Sequence, residues 1–397
     1  MRKSLIIVSA IVFLIFTVQG LGAKPKYKSK SKPKPKPVTS FSFYVGTYSL
    51  GQDGKPLSDS EGIYRFSLTT ATGKLTNLGL ATKSENPSFL TYSSDGKTVL
   101  AVNEVKDENA QNTGYLESFS IDYKTNELKL ISKVATGGAH PCYVATNNLG
   151  DVLVANYTGG SVSLFHLSYL GFLTDYLDIQ KHVGSGPNSA RQAGPHAHSA
   201  YFEPNSNRIF VADLGIDQVK VYNLKQGESK LTPTDNSINV SPGAGPRHMA
   251  FHPTLKLVYV VNELSSSVAT VKRNKDGTFT QLEEVSALPV GSDKPNSCAD
   301  IHITKDGRFL YVSNRGFNSI AEFSIDPQSG KLTQIGQQPC GGETPRNFAL
   351  SPDENFIVVA NQNSKDIVSF SRNAKDGKLQ LRDKIKGPKA VCILFCK

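Results

Sequence analysis

The chain has 397 residues, enough for one large domain or two of ordinary size. Its formal net charge of +10 would suit a nucleic-acid-binding protein, but nine basic residues and no acidic ones lie within residues 1–37. The rest of the chain holds 35 basic against 34 acidic residues, a net charge of +1. We therefore expect no nucleic-acid partner, because the excess positive charge is confined to the N-terminal segment.

The N-terminus has the pattern of an export signal. Two basic residues precede an apolar run over residues 5–18, and small residues follow at positions 20, 22 and 23. The run of about 14 residues is shorter than the ~20 that a membrane-spanning helix needs. We predict a signal peptide over residues 1–23 and an exported protein, periplasmic or extracellular. An uncleaved N-terminal anchor is the alternative.

Residues 24–37 alternate lysine with proline and serine, so the segment 24–40 cannot bury apolar surface. We predict a disordered, extended linker. Its positive charge makes it a candidate for weak contact with an anionic envelope surface, although a plain spacer explains the composition equally well.

The chain has five cysteines, too few and too scattered for a disulfide framework. Export would permit one bridge, and Cys298 with Cys340 is the candidate pair. Neither a CxxC nor an HExxH spacing occurs. We therefore expect no metal site and no cofactor.

The folded part of the chain is built from a repeat. An apolar strand that ends in a small or amide residue recurs at intervals of about 50 residues. The terminal residues of these strands are Gly46, Asn103, Asn156, Asp213, Asn262, Asn314 and Asn361.

Each repeat contains four short strands separated by turns such as Asp95-Gly96 and Ser329-Gly330. Four strands per unit, repeated seven times without a sustained helical period, predict an all-β, seven-bladed β-propeller over residues 41–397. The first repeat starts at its second strand, Phe43 to Gly46. We predict that residues 388–395 supply the missing innermost strand of blade one and close the ring.

The predicted topology indicates where a functional site would lie. Starts of first strands and ends of second strands lie on one face, around the channel mouth. First strands bring His140, His196, His198, Arg247, Asp300 or His302, Arg346 and Lys389 to this face. Second-strand ends bring Asn103, Glu104, Asn156, Asp213, Asn262, Glu263, Asn314, Arg315 and Asn361. The amides have a structural alternative, since such residues bond nearby backbone, and Glu263 could simply neutralise the arginines.

The chain resembles the seven-bladed lactonase family, which includes bacterial 6-phosphogluconolactonases of the propeller type and fungal carboxymuconate cyclases. The motifs that carry this resemblance are Phe43-Tyr44-Val45-Gly46-Thr47-Tyr48, Gly194-Pro195-His196-Ala197-His198, Gly245-Pro246-Arg247-His248, Val261-Asn262-Glu263, Ser313-Asn314-Arg315-Gly316 and Val391-Cys392-Ile393-Leu394-Phe395. The resemblance covers residues 41–395 and implies the same fold.

The resemblance also implies site residues. The His, two Arg and Glu used by the cyclase relatives correspond here to the catalytic set His198, Arg247, Glu263 and Arg315, with His196 an alternative to His198. For substrate binding we expect His140, His196, Arg346, Lys389 and Asn262.

The expected activity is that of a carboxylic ester hydrolase that opens a sugar lactone and works as a monomer. A δ-lactone is an activated ester, so water attack with Glu263 or His198 as general base suffices. Arg247 would stabilise the oxyanion, while Arg315, Arg346 and Lys389 hold a phosphate or carboxylate. No GxSxG nucleophile motif is present, in agreement with direct water attack.

The predicted export favours an unphosphorylated aldonolactone or another envelope lactone over a cytoplasmic phosphorylated intermediate. Two alternatives remain open at this point. One is a cycloisomerase that grips carboxylates with the same arginines. The other is a non-catalytic propeller that binds an anionic glycan or a protein at the mouth.

Overall fold

The computed structural model describes residues 39–397, except 52, 53 and 58. The predicted signal peptide and nearly all of the predicted linker lie outside these residues. In the described part the strands form seven antiparallel sheets. The predicted seven-bladed, all-β propeller is confirmed.

We number the blades along the chain and give the strands of each from the channel outward. Blade 1 contains Ala390–Phe395, Ser40–Thr47, Gly62–Thr69 and Leu75–Lys83; blade 2 contains Pro87–Tyr92, Thr98–Asp107, Thr113–Ile121 and Leu128–Ala135. Blade 3 contains Pro141–Thr146, Asp151–Asn156, Ser161–His166 and Asp178–Lys181; blade 4 contains Ala197–Phe202, Arg208–Asp213, Gln218–Asn223, and the short pieces Thr232–Pro233 and Ile238–Asn239. Blade 5 contains Pro246–Phe251, Leu257–Asn262, Ser267–Arg273 and Phe279–Ser286; blade 6 contains Ser297–Ile303, Phe309–Arg315, Ser319–Ile325 and Leu332–Pro339. Blade 7 contains Pro345–Leu350, Phe356–Asn361, Asp366–Arg372 and Leu379–Lys386, and short 3₁₀ turns lie at Glu108–Ala110 and Leu214–Ile216.

The two ends of the chain meet in blade 1, as predicted. Ala390–Phe395 pairs antiparallel with Ser40–Thr47, with Val45 opposite Ile393. Val391 and Ile393 are buried. The C-terminal strand therefore completes the first blade, and no inner edge is left unpaired there.

The turns between first and second strands of blades 2, 6 and 7 share one hydrogen-bonding pattern. The Ser93 hydroxyl donates to Asp95 Oδ1 at 2.7 Å, and the backbone amide of Lys97 donates to the same oxygen at 3.1 Å. Gly96 takes φ = 74°, a left-handed conformation that glycine adopts without strain. These turns lie at the face opposite the predicted mouth, because they join the other ends of the same strands.

The core is divided among the interfaces between blades. In the described residues seven apolar clusters occur, and each joins one blade to its neighbour. The cluster between blades 7 and 1 combines Phe43 and Phe66 with Val358 and Ile367. Ring closure therefore buries apolar surface on both sides of every blade.

One outer strand and one predicted bridge depart from expectation. The outer strand of blade 4 is broken at Pro233, which lacks the amide hydrogen that a continuous ladder needs. The predicted Cys298–Cys340 bridge is wrong, because both thiols are free and lie in different apolar clusters. None of the helices in the described residues is long and apolar enough to span a membrane.

Candidate active site at the mouth of the channel

The amides that end the second strands point into their own blades. Asn156 Nδ2 donates to the hydroxyls of Ser161 and Ser163 at 3.1 and 3.0 Å. Asn262 Nδ2 donates to Ser267 Oγ at 3.0 Å, and its side chain is fully buried. Asn262, expected to bind substrate, therefore lies behind the mouth and ties the second strand to the third.

The residue that follows each amide points toward the channel, since successive side chains of a strand face opposite sides. Glu104, Tyr157, Glu263 and Arg315 hold this position in four different blades. They line one cavity of about 300 Å³. The remaining lining residues are Tyr48, Cys142, Arg191, His198 and Arg346.

Glu263 lies at the centre of a group of guanidinium ions. Its Oε1 is 2.7 Å from Arg191 Nη2, and its Oε2 is 3.0 Å from Arg247 Nε. The same Oε2 lies 2.8 Å from Arg315 Nη2. The side chains of Glu263 and Arg247 are only 6% and 2% exposed, so this network is largely shielded from solvent.

The arginines decide the protonation state of Glu263. Burial alone would raise the pKa of this carboxyl, but Arg315, Arg247 and Arg191 overcome burial and hold the pKa well below its usual range. Burial, with the nearby charges of Arg315 and Arg346, lowers the pKa of Arg247 to about 10. At neutral pH the carboxylate is therefore ionised and Arg247 still carries its charge.

His198 enters the cavity as a neutral imidazole. Its ring is buried, and burial followed by the charge of Arg247 lowers its pKa well below 6.5. Its Nδ1 lies 3.8 Å from Cys142 Sγ. His196, the alternative, stacks on Tyr157 with ring centroids 4.6 Å apart and does not line the cavity.

A second carboxylate lies in the wall of the cavity. The Tyr48 hydroxyl donates to Glu104 at 2.9 and 3.0 Å for the two carboxylate oxygens. The Arg346 guanidinium lies 5.1 Å from the centre of the Tyr48 ring, and Lys389 Nζ lies 5.9 Å from it. Burial raises the pKa of Tyr48 well above its ordinary value, so this phenol remains a donor.

Other predicted residues lie outside the cavity. His140 Nδ1 is 2.9 Å from Thr158 Oγ1, and His140 does not line the cavity. Asp300 lies deeper in the channel, where it accepts from His248 Nδ1 at 2.8 Å and contacts His302 Nε2 at 3.0 Å. The described residues contain no group of three or more His, Cys, Asp or Glu side chains arranged to hold a metal ion.

Sequence reasoning missed Arg191. This residue lies on the long connection from blade 3 to blade 4, outside any strand. Its position is set by the fully buried Gln192, which donates to Leu214 O at 2.8 Å and to Asp217 Oδ1 at 2.7 Å. The repeat pattern identifies only residues of the repeated strands, and a loop residue such as Arg191 falls outside it. The unusual length of this connection was the one feature of the sequence that indicated a function for it.

Tyr48, Cys142 and Tyr157 were missed as well. Tyr157 follows Asn156 directly, so the rule that the residue after the amide faces the channel would have identified it. The same rule points to Glu104, which sequence reasoning placed at the mouth without a role.

The cavity favours anions. Arg191, Arg315 and Arg346 line it together with two glutamates, Glu104 and Glu263, which leaves a formal charge of +1, and Arg247 adds a further positive charge beside Glu263. Such an excess in a partly enclosed space attracts a carboxylate or a phosphate.

Comparisons with known proteins agree with the fold. The family model described as lactonase, 7-bladed beta-propeller, matches residues 42–395. A Bacillus subtilis protein named 6-phosphogluconolactonase is 36% identical over 361 residues, covering 90% of this chain and 99% of its own. A protein of that name from Formosa agariphila is 37% identical over 342 residues, covering 85% and 94%. The solved structure of a Pseudomonas aeruginosa periplasmic gluconolactonase superposes with a TM-score of 0.82 at 30% identity, covering 90% of this chain and 99% of its own. The chain belongs to the seven-bladed β-propeller lactonase family.

Proposed function

We propose that this protein hydrolyses a 1,5-aldonolactone, phosphorylated or plain, to the corresponding acid at the mouth of the channel. One observation carries the proposal: Glu263 holds three arginines in place around a cavity of about 300 Å³ that is large enough for a sugar lactone. The names of the relatives support the same chemistry. We further propose export through a signal peptide at residues 1–23, in line with the periplasmic gluconolactonase among the structural neighbours.

The arginines suit the charge that develops during lactone opening. Water attack turns the carbonyl oxygen into an oxyanion, and preorganised donors stabilise that oxygen by about 3 kcal/mol each. Arg247 uses Nε for Glu263 and Nη1 for the carbonyl oxygen of Ala299 at 2.6 Å. Arg247 does not line the main cavity but shares a small adjoining space with Glu104 and His198, and its Nη2 donors have no partner among the described contacts.

Arg346 and Lys389 are proposed to hold the anionic or hydroxyl-rich end of the substrate. Both cations lie beside the ring of Tyr48; Arg346 lines the cavity, whereas Lys389 lies behind that ring, outside the lining. Arginine forms paired hydrogen bonds with carboxylate and phosphate, whereas lysine acts as a point charge. Together they would orient the lactone with its carbonyl toward Arg247 and Arg315.

Glu263 is better suited to hold the arginines than to accept a proton. Both of its oxygens already contact guanidinium groups, and a proton taken up by either oxygen would have to displace one of these groups. We therefore assign Glu263 the role of a positioning residue. His140, His196 and Asn262 have no contact with the cavity and are assigned no part in substrate binding.

The experiment is a screen of the purified protein against glucono-1,5-lactone and its 6-phosphate, with acid release followed by a pH indicator. The spontaneous rate is subtracted at each pH. We expect saturable turnover of at least one of the two lactones. A rate equal to that of buffer for both would refute the proposal, and tight binding without turnover would favour the non-catalytic binding propeller.

A further inference from the structure

We propose that Glu104, oriented by Tyr48, is the general base that activates water at this mouth. This inference rests on the proposed lactone hydrolysis and assigns a catalytic residue to it. It replaces the two bases expected from the sequence, Glu263 and His198, with a residue to which the sequence assigned no role.

Neither of those two groups has a free, stable site for a proton. Glu263 has ion pairs on both oxygens, at 2.7, 2.8 and 3.0 Å. His198 is buried close to Arg247, Arg346 and Arg315. Protonating that ring would place an imidazolium among cations, which like-charge repulsion opposes.

Glu104 has neither obstacle. Its only hydrogen bonds at the carboxylate among the described contacts come from the neutral Tyr48 hydroxyl. An ionised carboxylate offers about four lone-pair positions, so one phenol leaves room for a water molecule. The side chain lines the same cavity as Glu263 and Arg315, which places the proton acceptor and the oxyanion donors around one space.

The backbone of Glu104 is held firmly. Its amide donates to Asn86 O at 3.0 Å, and Asn86 Nδ2 donates back to Glu104 O at 3.1 Å. Asn86 Oδ1 in turn accepts from the amides of Ser49 and Leu50, each at 2.9 Å. Since Tyr48 directly precedes Ser49, one asparagine fixes both members of the Tyr48–Glu104 pair.

The reaction balances with water as the only co-reactant. A water oxygen bonds to the lactone carbonyl carbon while its proton moves to Glu104, and the carbonyl electron pair moves to the oxygen held by the arginines. The intermediate then re-forms the carbonyl and breaks the bond to the ring oxygen. Glu104 returns its proton to that ring oxygen, which leaves as a hydroxyl, and the carboxylate is regenerated.

The first test replaces Glu104 with glutamine, which keeps size and hydrogen bonding to Tyr48 but cannot accept a proton. We expect kcat to fall by about 100-fold or more, within the usual range for loss of a general base, with KM little changed. The wild-type rate should fall toward acidic pH as the base is protonated, and this acidic limb should disappear in Glu104→Gln.

The second test replaces Tyr48 with phenylalanine. The phenol holds the carboxylate in position, so its removal should lower kcat less than Glu104→Gln does and should leave the acidic limb in place. The other charged and titratable side chains of the two cavities that Glu104 lines are Tyr48, Cys142, Tyr157, Arg191, His198, Arg247, His248, Glu263, Arg315 and Arg346, and Lys389 lies beside Tyr48. Each of them is retained in Glu104→Gln, so loss of the limb there assigns it to Glu104.

Glu127→Gln is the matched control, because Glu127 is an exposed carboxylate in a turn at the opposite face. Melting curves of all variants verify folding.

If wild type is active and Glu104→Gln keeps both kcat and the acidic limb, this inference is wrong while the lactonase proposal stands. If the acidic limb of the pH–rate profile disappears in His198→Gln and not in Glu104→Gln, the assignment of Glu104 as general base is also wrong. A wild type without lactonase activity would remove both proposals.

Discussion

A single buried carboxylate organises the cationic half of this site. Three guanidinium groups near one axis would repel each other, and Glu263 lowers that repulsion by contacting all of them. A buried ion network of this kind is seldom more stable than an apolar core, but removing one partner leaves the others unpaired. The network therefore holds the arginines in a fixed geometry for substrate, and a mutation of any one member should destabilise the protein.

Replacing Glu263 with glutamine should destabilise the fold in a pH-dependent way. At pH 7 we expect the free energy of unfolding to fall by about 3 kcal/mol, with little contribution from Arg191, which is 41% exposed. The folded-state pKa of Glu263 lies below its ordinary 4.5, so its stabilisation is present above that pH and lost as the pH falls below it. Urea unfolding of both proteins from pH 7 to pH 3 should show the difference shrinking. A constant difference would contradict the ion-pair account.

Replacing Arg247 with lysine should lower kcat while the protein remains folded. Lysine keeps the charge but loses the planar set of donors that contacts both Glu263 and Ala299 O. We expect a decrease of about 100-fold, as for loss of one oxyanion donor. Arg308→Lys, at an exposed turn, serves as the control in the same steady-state assay. Equal kcat values for the two variants would remove Arg247 from the mechanism.

At the level of the strand, neighbouring residues divide two tasks. The amide at the end of the second strand ties its blade together, and the next residue faces the channel. In blade 6, Asn314 Nδ2 donates to Ser319 Oγ of the third strand at 3.3 Å, while Arg315 reaches Glu263. The fold can therefore keep the amide as structure and vary only the following residue to build a site.

Replacing Asn262 with alanine tests this division. The change removes the hydrogen bonds from Nδ2 to Ser267 Oγ and to the Glu284 carboxylate, which should cost about 2 kcal/mol of unfolding free energy. KM should stay close to wild type, because Asn262 does not line the cavity. Thermal melting and steady-state kinetics check both expectations, with exposed Asn148→Ala as the control. A raised KM without loss of stability would restore Asn262 as a binding residue.

At the level of the whole molecule, the ring is held by side chains as well as by apolar packing. Ser199 Oγ donates to Arg247 O at 2.6 Å, linking blades 4 and 5. Asn347 Nδ2 donates to Asp300 Oδ2 at 2.6 Å, and the Ile393 amide donates to Asn347 Oδ1 at 2.7 Å. The innermost strands of neighbouring blades are thus joined by hydrogen bonds, and the C-terminal strand that closes blade 1 takes part in them.

Deleting residues 388–397 should abolish cooperative unfolding. The deletion removes the innermost strand of blade 1, exposes the apolar faces of blades 7 and 2, and leaves a strand edge unpaired. Circular dichroism melting and dye binding to exposed apolar surface measure the loss. A chain that lacks only Lys397 is the control. A native-like melting curve for the long deletion would show that ring closure is dispensable.

Short windows of sequence were enough to predict the architecture. The strand period, the Asp-Gly turns and the apolar runs reflect local hydrogen bonding and side-chain alternation, so seven blades and the closing strand followed from them. The same repeat positions brought Arg247, Glu263, Arg315 and Arg346 to one face. These residues are close in space because the topology, which the repeat reveals, places every first-strand start beside the same channel.

Only the tertiary structure decided which of these side chains meet. Tyr48 and Glu104 are 56 positions apart and belong to different blades, and their hydrogen bond depends on the angle at which those blades pack. Arg191 reaches Glu263 from a loop that has no repeat position, held there by Gln192. Distances across the channel depend on closure of the whole ring, a property that no local pattern of residues encodes.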